Sequence, residues 1–159
     1  LLDSAIAVGQ KTGLAAPYYL ARAQFFDRKG EYRKALPDYN QYDSLTHTVD
    51  PTFFYARYKC ETKLRMWQQA LLDIARTCYL APKEPTYFAE WASLDLRVKR
   101  IDEGISAAKA CINLAPEYAD GYLLLGLLQR EKGLKQESIE NLKKAQELGD
   151  TRAEEYLKQ

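Results

Sequence analysis

Little in this 159-residue sequence is equipped for chemistry. It has one histidine, His47, and three cysteines, Cys60, Cys78 and Cys111. The histidine stands near no serine or cysteine motif that would make a nucleophile and base pair, which argues against hydrolytic or acyl-transfer catalysis; a solvated or capping role is expected for it. An odd cysteine count without CxxC spacing argues against a disulfide framework or a zinc site. The three thiols read as small buried apolar residues. They favour a reducing compartment such as a cytoplasm and leave a bacterial periplasm open. Gly30, Gly104, Gly126 and Gly133 are isolated, so there is no phosphate-cradling loop. Asp43 and Asp50 flank one loop but lack the dense acidic alternation of a calcium loop. No catalytic residue, metal or cofactor is therefore expected. Net charge is +1, with no global pull toward nucleic acid or an anionic membrane. The longest strongly apolar stretch, residues 122–128, is far too short to span a bilayer.

What the sequence does have is a repeat. GEYRKAL at 30–36, RMWQQAL at 65–71, RIDEGIS at 100–106 and GLKQESI at 133–139 recur in one register. Aligned on Ala35, Ala70, Gly104 and Ser138, the spacings are 35, 34 and 34. Pro51, Pro82, Pro85 and Pro116 fall between the units. A fixed period of this length signals a helical solenoid. Each unit reads as two helices with apolar residues at helical spacing, as in Ile139, Leu142, Ala145 and Leu148 after the Lys132-Gly133 break. Pro51 reads as a first helical residue capped by Asp50. Thr151 reads as the cap of a short terminal helix. Pro37, several residues into a second helix, predicts a kink or a delayed helix start.

The expected fold is all-α: a right-handed α-solenoid of stacked antiparallel helix pairs. A single domain over 1–159 divides into a half repeat with its loop (1–15), repeats at 16–50, 51–84, 85–118 and 119–150, and a short C-terminal helix (151–159). The half repeat follows from stepping back one period, which places Leu1, Ala5 and Val8 where Ala35, Tyr39 and Tyr42 sit. With no initiating methionine, a mature product or a piece of a larger protein is expected, with self-association through an exposed repeat edge.

These residues resemble the tetratricopeptide repeat, a helix-turn-helix unit of about 34 residues. The last unit carries Tyr122, Leu125, Gly126, Gln129, Ser138, Leu142 and Ala145 at the family's patterned positions, and the third carries Phe88, Trp91, Ala92, Asp95, Gly104, Ala108, Cys111 and Pro116. Arg57 followed by Tyr58 in the second unit is a poor fit to the leucine and small residue favoured there. The resemblance implies a protein-binding solenoid whose first helices line a concave groove. Its groove positions fall on Arg28, Tyr55, Lys59, Lys63, Arg97, Leu123, Leu127 and Arg130. Arg28, Lys63 and Arg97 occupy one position in three successive units and would form a basic ladder for carboxylates of a partner. Leu123 and Leu127 would add an apolar patch.

The residues of the family's carboxylate-clamp subgroup do not fit. In one register the clamp positions hold Leu20, Gln24, Ala56, Thr86 and Glu90, and in the next Tyr55, Lys59, Glu90, Asp120 and Leu124. The function expected is non-catalytic binding of a protein or peptide, an acidic one included, with no nucleic acid and no membrane insertion. The alternatives are a structural spacer or dimerisation segment of a larger regulatory or envelope-associated protein and, less favoured, a small-ligand site or an enzyme. The twelve tyrosines invite base stacking, but Tyr19, Tyr39, Tyr42, Tyr58 and Tyr122 fall on packing positions.

Overall fold

Antiparallel helix pairs joined by tight turns build the whole of the described chain. The computed structural model describes residues 1–158; Gln159, which the sequence reading placed in the C-terminal segment, lies outside them. Ten helices and no strand are present among the described residues: α1 (Leu2–Thr12), α2 (Ala16–Arg28), α3 (Tyr32–Thr46), α4 (Pro51–Lys63), α5 (Trp67–Leu80), α6 (Pro85–Arg97), α7 (Ile101–Leu114), α8 (Ala119–Lys132), α9 (Lys135–Glu147) and α10 (Arg152–Leu157). The fold is an all-α solenoid of stacked helix pairs. No helix among the described residues is long and apolar enough to cross a membrane. The chain divides into two compact units within α5: unit 1 is Leu1–Asp73, and unit 2 begins at Ile74.

The same backbone device closes each first helix. The amide N–H groups of Glu31, Met66, Arg100 and Leu134 donate to the carbonyls of Phe26, Glu61, Asp95 and Gln129, five residues back. That bond requires a left-handed residue one position earlier. Gly30 (φ 73°) and Gly133 (φ 87°) take this conformation without steric cost, whereas Arg65 (φ 59°) and Lys99 (φ 63°) take it with a Cβ in place.

Helix starts follow local chemistry. Asp50 caps α4, its carboxylate accepting the Thr52 N–H at 2.9 Å, and Pro51 opens the helix where no amide donor is needed. At α10 the expected cap is corrected: Thr151 makes no capping bond, and Asp150 accepts the Arg152 N–H at 3.0 Å. The delayed start expected from Pro37 is also overturned. α3 begins at Tyr32 and runs through the proline. Pro37 is exposed, so water can satisfy the carbonyl it leaves without a donor. His47 ends α3 in the left-handed conformation (φ 47°), its N–H bonded to the Asp43 carbonyl at 2.8 Å.

Unit 1 packs α3 on α4 through aromatic rings: Tyr39 and Tyr42 stand 5.8 and 5.2 Å from Phe53, which stands 5.2 Å from Phe54. Ile6, Ala15 and Tyr19 bury α1 against α2. Unit 2 uses small residues instead. Ala89, Ala92, Ala107, Ala108 and Cys111 interleave with Leu124, Leu125 and Leu128. Gly126 allows α8 and α9 to touch, because a Cβ there would lie 2.8 Å from Leu142 Cγ and 3.1 Å from the Ser138 carbonyl oxygen. Gly126→Ala is expected to destabilise the chain by about 1–2 kcal/mol through overpacking, despite alanine's better helix propensity. The midpoint of urea unfolding checks this, and an unchanged midpoint would show that Leu142 has room to move. The three cysteines are buried and free, and burial raises the Cys60 and Cys78 thiols to about 12 and Cys111 to about 11.

Candidate functional site

The groove positions divide between the two units. In unit 1, Arg28 and Lys63 are exposed in the last turns of α2 and α4, where a cation complements the negative helix end. Tyr55 and Lys59 lie one turn apart on α4. The Tyr55 ring stacks on Tyr58 at 5.8 Å, and Lys59 Nζ sits 4.8 Å from the Tyr55 centroid. An exposed ammonium over a half-buried ring offers both charge and an apolar face. Arg97 takes the same last-turn place on α6 in unit 2, and is exposed.

The other three sequence-assigned residues are not open groove residues. Leu123 is 3% exposed and packs with Leu142, Ala145 and Ala153. Leu127 is half-buried against the same cluster, together with Tyr156 and Leu157 of α10. Arg130 donates to the Tyr156 carbonyl, and its guanidinium lies 5.5 Å from the Tyr156 ring. The short terminal helix therefore covers the apolar patch expected at this end.

Unit 1 also contains a charged network that the sequence reading passed over. Arg57 grips Asp73 with a bidentate fork, Nε to Oδ2 at 2.6 Å and Nη2 to Oδ1 at 2.9 Å. Its remaining nitrogen donates to Asp43 at 2.9 Å and Asn40 at 3.2 Å. Its guanidinium lies 5.2 and 5.6 Å from the rings of Phe53 and Phe54. One period earlier Arg22 makes the same fork to Asp38, both bonds at 2.7 Å, and pairs with Asp3. The poor fit at Arg57 thus has a structural cause. In two successive repeats an arginine replaces the leucine favoured there, with an aspartate sixteen residues on. That Arg-x15-Asp spacing, repeated with a shift of 35, was the available signal.

Two acids are buried at equivalent positions of successive repeats. Glu61 is 4% exposed, and its Oε2 has no hydrogen-bond partner. Burial, aided by the Asp73 carboxylate and opposed by Arg57, raises it to about 8. Asp95 in unit 2 is fully buried, with neither oxygen hydrogen-bonded and Arg100 Nε 3.7 Å away. Burial raises it to about 6 against the pull of Arg100. Among the described residues no group of three or more His, Cys, Asp and Glu is placed to hold a metal ion.

The geometry of α8 and α9 is matched by a family model: residues 119–148 fit the tetratricopeptide repeat. The preceding helix pairs share its turn geometry and register. Its fold is that of tetratricopeptide-repeat solenoids. Solved structures of this type superpose on 68–99% of the chain. YrrB, described as a TPR protein with an unusual peptide-binding site, gives a TM-score of 0.84 at 21% identity, over 99% of this chain and 83% of that one. MamA from Desulfovibrio magneticus RS-1 gives 0.80 at 22% identity, over 89% and 81%. The first TPR domain of Spaghetti (RPAP3), bound to the HSP90 peptide SRMEEVD, gives 0.65 at 16% identity, over 68% and 87%. At these identities the likeness establishes the fold. No curated protein matches the sequence.

Proposed function

We propose that this tetratricopeptide-repeat solenoid is a non-catalytic binding module that takes an acidic peptide segment on side chains presented by α2 and α4. The observation that carries the reading is the arrangement in unit 1. Arg28 and Lys63 are exposed at equivalent helix ends, and Lys59 stands over the Tyr55 ring. Cations of this kind pair with carboxylates, and the ring face supports an apolar side chain between them. Arg97 offers the same chemistry in unit 2. Two structures of the same fold carry peptide-binding descriptions, one of them with the acidic peptide SRMEEVD. Since the clamp positions hold Leu20, Gln24, Ala56, Thr86 and Glu90, recognition of a terminal carboxylate by that device is not part of the proposal.

Panning a phage-displayed random peptide library against the chain tests the reading. The expected result is enrichment of a shared acidic motif that binds at least tenfold more weakly to Arg28→Glu/Lys63→Glu, for the loss of two charge-assisted contacts at about 1.4 kcal/mol per tenfold. The thermal melt of the double variant should fall by only a few degrees, because both side chains are exposed and lose no more than their favourable interaction with the helix ends. A wild-type chain that enriches nothing, or a motif indifferent to the double variant, would remove the groove from consideration.

A further inference from the structure

A second binding surface lies on the turns of unit 1; it shares Lys63 with the proposed groove, and its lining does not include Arg28, Tyr55 or Lys59. A cavity of about 460 Å³ is lined by Arg33, Lys63, Leu64, Arg65 and Met66. A second, of about 380 Å³, runs along the α2–α3 turn from Gly30 to Lys34 and shares Arg33 and Leu64 with the first. The two turns are held together locally by the Cys60 thiol, which donates to the Tyr32 carbonyl at 3.4 Å. The lining is apolar at Tyr32, Leu64 and Met66, all half-buried, and basic at the exposed Arg33, Lys63 and Arg65.

The cations here differ in their occupancy. Lys34 is already paired with Glu31 at 2.5 Å. Arg33, Lys63 and Arg65 form no ion pair among the described residues. Arg65 also stands in the left-handed conformation that glycine fills at the corresponding Gly30 and Gly133. Lys99 takes the same conformation in unit 2, and its ammonium pairs with Glu131 at 2.6 Å. The backbone bond that closes α4 holds Arg65 left-handed and so fixes where its side chain leaves the turn, and that side chain has no ion-pair partner among the described residues.

We propose that this turn surface binds an acidic peptide in which one large apolar residue is flanked by carboxylates. The apolar residue would enter the depression at Leu64 and Met66 while the carboxylates meet Arg33, Lys63 and Arg65. A bare phosphate backbone would leave the apolar lining unused, and the net charge of +1 supplies no long-range field for a polyanion.

Fluorescence anisotropy on the full chain at low ionic strength tests this with labelled Glu-Glu-Leu-Glu-Glu, Glu-Glu-Gly-Glu-Glu and an oligothymidylate. The leucine peptide is expected to bind saturably and about tenfold tighter than the glycine peptide, a partial return on burying one leucine side chain. Arg65→Gly should weaken it about tenfold while raising Tm by about 3 °C, because glycine relieves the left-handed strain. Arg33→Glu/Arg65→Gly should abolish binding, and the groove variant Tyr55→Ala/Lys59→Glu should leave it unchanged. Three results overturn the proposal: no saturable binding of the leucine peptide, oligothymidylate binding as tightly as that peptide, or loss of peptide in the groove variant with none in the turn variants. The last result would leave the groove as the only peptide site.

Discussion

Arg57→Leu is expected to destabilise unit 1 by about 3–5 kcal/mol, the cost of breaking a buried ion pair from one side. The side chains of Arg57 and Asp73 are only 11% and 7% exposed. Removing the guanidinium leaves the Asp73 carboxylate without its two bonds and Asp43 without a third. It also removes a cation that favours ionised Glu61. The fork itself contributes less than this cost, because desolvating both charges offsets most of their attraction. Arg57→Leu/Asp73→Leu should therefore recover at least half of the loss, and the two single substitutions should be strongly non-additive. Urea unfolding followed by circular dichroism measures all four corners of the cycle. A surface pair provides the control: Lys158→Ala, which breaks the exposed contact with Glu154, should leave the urea midpoint nearly unchanged. If Arg57→Leu costs no more than that control, the fork is not structural.

Stability is expected to fall as pH rises from about 5 to 8, the reverse of the usual carboxylate behaviour. Glu61 and Asp95 are held above their ordinary values, at about 8 and about 6, by burial. Between the unfolded carboxylate range and these values the folded chain binds more protons than the unfolded one. The slope of unfolding free energy with pH is then negative. Asp95 contributes the lower part of the window and Glu61 the upper part. The groups that act on Glu61 are Asp73 and Arg57; those that act on Asp95 are Arg100 and Glu103. Asp150 works in the opposite sense. Its bonds to Arg152 hold it below the ordinary range, so its contribution is present at neutral pH and disappears in acid. Maximum stability near pH 5 follows. Glu61→Gln should stabilise the chain at pH 8 by on the order of 2 kcal/mol and flatten the upper window. Denaturant midpoints at pH 5, 6, 7 and 8 for the two proteins decide the matter. A wild-type curve that is flat or rising between pH 6 and 8 would mean that Glu61 ionises freely.

The site was less legible than the helices, for reasons visible in particular residues. The equivalence of Arg28, Lys63 and Arg97 was readable because it is a matter of register, and register survives in a linear repeat. The burial of Leu123 was not, since what covers it comes from Ala153, Tyr156 and Leu157, some thirty residues on. Arg22 and Arg57 read as departures from the pattern because a leucine position was expected to hold an apolar side chain. Their partners lie across an antiparallel pair, and only the pair's geometry brings Asp38 and Asp73 within 3 Å.

What the sequence determined alone is whatever depends on neighbours within one or two turns. The 34-residue beat, the helix starts at Pro51 and Pro85, the Asp50 cap and the glycine turns at Gly30 and Gly133 all rest on bonds spanning five residues or fewer. Tertiary structure decided what depends on enclosure. It decided whether Glu61 and Asp95 keep their protons, whether an exposed face at Leu123 exists, and which cations remain unpaired around Leu64 and Met66. Desolvation and pairing are set by every group packed around a side chain, and a linear register does not specify those groups until the helices are stacked.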